Sequence, residues 1–132
     1  MFVLIPFAVV AQAYRFFFEG ASGPAPMQFG LSQAFYNLAL VAIPEEFFFR
    51  GYLQARLTAW CEACGITRPV FPIVLTAFLF AVAHLVVAPD LISAAVFLPG
   101  MVMGWLRYRT GGLLAPAGFH WLANMLWVAL DF

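Results

Sequence analysis

The chain has 132 residues, 65% of them hydrophobic and only 9% charged, with no lysine and a net charge of zero. A soluble domain carries charge on roughly a quarter of its residues, so this sequence lacks the material for a watery surface. The neutral balance and the absence of any basic run also exclude a nucleic-acid binder, which needs cations to track the phosphates.

The class that fits is a polytopic membrane protein with lipid over its outer face. The predicted architecture is all-α, a transmembrane helix bundle with its active site inside, in a single domain over residues 1–132. Met1–Phe18 is the first candidate span, ended by Arg15, Glu19 and the loop GASGPAP. No Lys or Arg precedes its apolar run, so it reads as a helix rather than a cleaved signal peptide. Leu31–Trp60 is a second, longer helix, and Gly65–Pro69 is a turn. Phe71–Ala88 is a third span, stopped by Pro89 and Asp90. Leu91–Leu106 is a fourth, closed by Arg107, Arg109, Gly111 and Gly112, and the last runs from Leu113 to Phe132. That makes five spans, without repeats or linkers.

Arginine placement sets the orientation. Arg56, Arg68, Arg107 and Arg109 fall on one side of the five-span arrangement and Arg15 on the other. The N-terminus and the Arg-rich loops are therefore expected in the cytoplasm. Gly100 and Gly104 form a GxxxG pattern, which reads as close helix packing. Cys61 and Cys64 form a lone CxxC with no second pair, weak grounds for zinc or redox chemistry.

Ionisable residues inside the spans are few: Glu45, Glu46, Arg50, His84 and His120. Such groups are costly in lipid and mark functional sites by default. Glu46 and Arg50 are four apart and share a helix face, so a buried structural ion pair is the favoured reading for these two. Glu45 points about 100° away and has no other basic group within a helical turn. An unpaired carboxylate in an apolar setting suits a general base; the alternative is a protonated acid bonded to a neighbouring helix. His84 follows Phe80 by one turn, and His120 precedes Asn124 by one turn, which places an imidazole beside an amide. At ~1.5 Å per residue, Glu45 lies about 21 Å from Leu31, some 9 Å short of the far side of a ~30 Å core. His120 lies about 10 Å in from that same side, and His84 comes out deeper.

Glu45-Glu46-x-x-x-Arg50, Phe80-x-x-x-His84 and His120-x-x-x-Asn124 resemble, in order, the three motifs of the CPBP intramembrane protease family. That family includes the CAAX prenyl proteases of the Ras-converting type and the abortive-infection and bacteriocin-immunity proteins. The likeness covers Asn37 to Trp127. It implies a hydrolase acting inside the membrane, an endopeptidase whose Glu45, helped by His84, activates a water. His120 and Asn124 would then bind the developing oxyanion, with Glu46, Arg50 and Phe80 in support.

No serine or cysteine nucleophile competes, since Ser93 and Cys61 have no motif around them. The resemblance implies no cofactor; the alternative is a zinc ion held by Glu45, His84 and His120. The expected partners are the bilayer and a prenylated or membrane-anchored protein, cut near its C-terminus, as in processing of a sorting signal. The expected location is the bacterial inner membrane. Two other readings stand beside this one. The first is a non-catalytic immunity or binding protein that uses the same cavity. The second is a small transporter, which would be expected to show repeats or broken helices.

Overall fold

A computed structural model describes residues 30–89 and 91–129. The predicted first span, Met1–Phe18, lies outside the described residues, as do Arg15, Glu19, Asp90 and the last three residues. Every regular element among the described residues is helical.

The first helix, α1, runs without interruption over residues 31–63, about 50 Å at roughly 1.5 Å per residue. Its winding changes along the way. Two π-helical stretches, Asn37–Ala42 and Phe47–Leu53, alternate with α-helical Leu31–Tyr36, Ile43–Glu46 and Gln54–Ala63. In the first wide stretch the Ile43 N–H reaches back five residues to the Leu38 carbonyl. Pro44 follows immediately, and a proline inside a helix has no N–H and crowds the carbonyl four residues earlier. The wide turns let the chain pass this point without breaking. They also bracket Glu45 and Glu46, and such π insertions occur frequently at functional sites.

The end of α1 is a Schellman motif. Ile66 N–H bonds to the Cys61 carbonyl at 2.8 Å and Gly65 N–H to the Glu62 carbonyl at 3.0 Å. Gly65 takes a φ of 78°, open to glycine without a Cβ penalty. The predicted turn over Gly65–Pro69 therefore falls where the chain reverses into α2, Val70–Val87.

The predicted fourth span is two helices rather than one: α3, Leu91–Ala95, and α4, Phe97–Thr110. Pro99 accounts for the break, because its ring would meet the Ala95 carbonyl in a continuous helix. Gly111, at φ 67°, closes α4, and α5 follows as Leu114–Ala129. Pro72, Pro99 and Pro116 each occupy the third position of their helix, in the first turn, where an N–H would have no intrahelical partner.

Packing is sequential. Helix α4 lies against both α2 and α5, and α5 also packs on the Asn37–Ala42 stretch of α1, while Trp121 donates its indole N–H to the carbonyl of Ala34, in the preceding Leu31–Tyr36 segment, at 2.9 Å. Phe49, Phe80 and Met103 form the buried centre. The outer face stays apolar: Phe35, Phe47, Phe78, Val86, Leu98 and Leu126 are all exposed. Helix α2 alone, among the described residues, is a single regular helix both long and apolar enough to cross a membrane.

Candidate active site

Pro44 leads into Glu45 and Glu46 on the short α-helical turn between the two wide stretches of α1. Helix α5 brings His120 against that turn. His120 Nδ1 lies 2.9 Å from Glu46 Oε1, and His120 Nε2 lies 3.7 Å from Glu45 Oε2. One imidazole thus stands between two adjacent carboxylates that point in different directions from the same helix.

Glu46 does more than the sequence reading assigned to it. Its Oε1 accepts a 2.8 Å hydrogen bond from Arg50 Nη1 as well as the bond to His120, and both Glu46 and Arg50 have 0% exposure. With Arg50 donating to the same oxygen, Oε1 is the acceptor in both bonds, so His120 carries its proton on Nδ1. In the neutral ring that leaves Nε2 as an acceptor. Glu45, expected without a basic neighbour along its own helix, finds one across the bundle. The 3.7 Å gap is too long for a direct hydrogen bond, and Glu45 Oε2 is buried without a hydrogen-bond partner.

Arg50 is held from three sides. Besides Glu46, its Nη2 donates to the Gly100 carbonyl at 3.2 Å, and its guanidinium carbon lies 4.5 Å from the centre of the Phe80 ring. That ring is the hub of the site. It stands 4.9 Å from Phe49, 4.3 Å from His84 and 5.8 Å from His120, measured between centroids.

His84 Nδ1 lies 2.9 Å from the Phe80 carbonyl. A carbonyl only accepts, so this ring also carries its proton on Nδ1 and turns Nε2 outward as an acceptor. His84 lies within electrostatic reach of Glu45. The two histidines, read from the sequence at different depths, are therefore joined through one phenylalanine. Asn124 is half-buried one turn beyond His120 on α5, and no hydrogen bond ties it to the carboxylates among the described residues. Nor do three His, Cys, Asp or Glu side chains gather as a metal-holding group among those residues.

Gln54 escaped the sequence reading. It donates to the Gly104 carbonyl at 3.0 Å, just as Arg50 donates to Gly100. Glu46, Arg50 and Gln54 follow one another at intervals of four, a spacing that would have put Gln54 on the same stripe. The GxxxG glycines supply close packing as expected, and their carbonyls also accept these two side chains.

The described residues thus form a helical bundle with an apolar exterior and a buried carboxylate–imidazole–guanidinium group. Residues 27–126 match the family model of the type II CAAX prenyl endopeptidase, Rce1-like, and the chain belongs to that family. Membership makes it a protease of the CAAX type. No curated protein and no solved structure matches the chain.

Proposed function

We propose that this protein is a glutamate-dependent intramembrane endopeptidase that cuts a prenylated or membrane-anchored protein near its C-terminus. The observation that carries the reading is the unpartnered Glu45 Oε2 facing His120 Nε2 across 3.7 Å. A water lodged beside both groups reaches each at an ordinary hydrogen-bond distance of about 2.8 Å. Glu45 takes one proton from that water, and the hydroxide oxygen bonds to the peptide carbonyl carbon. The carbonyl π pair moves onto oxygen. Glu45 then returns the proton to the leaving nitrogen as the C–N bond breaks, giving a carboxyl product and an amine.

The other residues serve that sequence. His84 offers Nε2 as a second acceptor for the attacking water. Asn124 has an amide to donate to the oxyanion. His120, when it has taken a proton from solvent on Nε2 before the attack, is a charged donor to the same oxygen, its Nδ1 fixed by Glu46. Donors aimed at a developing charge in a dry site are worth roughly 2.7–4 kcal/mol each. The five-span arrangement, an inner-membrane location and cytoplasmic placement of the Arg-rich end belong to this proposal. The apolar exterior supports them.

The test uses the purified full chain and a farnesylated C-terminal peptide. Glu45→Gln is expected to lower cleavage at least about a hundredfold while melting like the parent. Full activity in that variant would sink the mechanism. Activity is also expected to survive exhaustive chelation. A loss that added zinc restores would replace the metal-free reading with one in which Glu45, His84 and His120 hold the ion.

A further inference from the structure

A cleft of about 350 Å³ opens between the C-terminal halves of α1 and α4, lined by Arg50, Gln54, Thr58, Glu62, Arg107 and Tyr108. Its α1 wall continues the stripe that begins in the candidate site. Glu46, Arg50, Gln54, Thr58 and Glu62 recur at every fourth position, so a polar track leads from the carboxylate that holds His120 to the end of the helix. Arg50 also lines the cleft.

Arg107 is the cation of that cleft with no carboxylate partner among the described residues. Its Nε donates to the Arg50 carbonyl at 3.4 Å and its Nη1 to the Gly111 carbonyl. Two main-chain carbonyls therefore fix the guanidinium in place without cancelling its charge, and no carboxylate among the described residues forms an ion pair with it. A guanidinium has five N–H donors, so three remain to be met. Glu62, near the C-terminus of α1, lines the same cleft. With Arg50 already paired to Glu46, Arg107 is the lining group that attracts an anionic chain end.

We propose that this cleft receives the free α-carboxylate of the peptide substrate and that Arg107 is the specificity-determining residue that binds it. The proposal rests on the peptidase reading above. Reach agrees with it. Glu45 and Arg50 are five positions apart, about 7 Å along the helix axis, and Arg107 sits at the Arg50 carbonyl. Two or three extended residues, at roughly 3.3–3.6 Å each, cover that distance. A guanidinium–carboxylate contact of this kind is charge-assisted and gains specificity from its planar fork.

The experiment compares one farnesyl-cysteine peptide in two forms, with a free C-terminal carboxylate and with a carboxamide. The purified full chain is expected to cleave the free acid with a KM about tenfold or more below that of the amide, with kcat little changed. Arg107→Ala and Arg107→Gln are both expected to bring the acid-to-amide KM ratio close to one, and Arg107→Lys to keep part of it. Equal KM values in the parent, or a ratio that survives in both variants, would overturn the assignment and leave the peptidase reading standing. Loss of cleavage of both peptides in both variants would assign Arg107 to structure and overturn it as well. If the parent cuts neither peptide, the peptidase reading fails and this inference falls with it.

Discussion

Glu46 Oε1 accepts from Arg50 on its own helix and from His120 on α5, so one buried oxygen ties the helix carrying the carboxylates to the helix carrying the imidazole. Removing Arg50 leaves Glu46 buried with its charge unmatched, and breaking such a pair costs about 3–5 kcal/mol. Arg50→Met is therefore expected to lower the unfolding free energy by that amount, measured by denaturation in detergent micelles. The double variant Arg50→Met, Glu46→Gln leaves no unpaired buried charge and should recover part of the loss. An Arg50→Met protein as stable as the parent would show that the pair contributes nothing. At this scale the sequence was informative within a helix and silent between helices. The Glu46–Arg50 pair follows from a spacing of four. The bond to His120, 74 positions away, depends on how α5 crosses α1, and only the similar depths of Glu45 and His120 pointed to it.

Helix contacts turn on two glycines that differ in how much room they leave. A Cβ on Gly104 would stand 2.9 Å from Ile73 Cγ2 and 3.3 Å from the Gln54 side-chain oxygen. The Ile73 branch is rigid at its first torsion, so α2 or α4 must move. On Gly100 the nearest atom is the Ala77 Cβ at 3.3 Å, which asks for a shift of a few tenths of an ångström. Overpacking of this kind costs about 1–3 kcal/mol. Gly104→Ala is expected near the upper end of that range and Gly100→Ala near the lower, read as melting temperatures of the purified variants. Gly112→Ala, with nothing within 4 Å of its Cβ, is the neutral control, and equal losses at positions 100 and 104 would refute the packing account. Hydropathy located α2 to within a residue at each end because its run is uniformly apolar. It missed the break at Val96, since apolar content does not register the clash between Pro99 and the Ala95 carbonyl. The wide turns of α1 had only Pro44 to announce them, because apolar content does not distinguish a π-helical turn from an α-helical one.

At the scale of the whole molecule the proposed orientation can be tested directly, because the chain carries its own reporter. The cleft brings Thr58 and Glu62 of α1 beside Arg107, Tyr108 and Gly111, so the C-terminal ends of α1 and α4 share one end of the bundle. Arg56, Arg68, Arg107 and Arg109 cluster in sequence around those two helix ends, and an excess of arginine marks the cytoplasmic side of a membrane protein. The chain has two cysteines, Cys64 exposed at the cap of α1 and Cys61 buried at 3% exposure. A membrane-impermeant maleimide is therefore expected to label the protein in inverted vesicles and to leave it unlabelled in intact spheroplasts. Cys61→Ala should keep the label and Cys64→Ala should lose it, which ties the signal to the helix cap. Labelling of Cys64 from outside intact cells would invert the orientation. It would also put the Arg107 cleft on the wrong side for a substrate whose C-terminus lies in the cytoplasm.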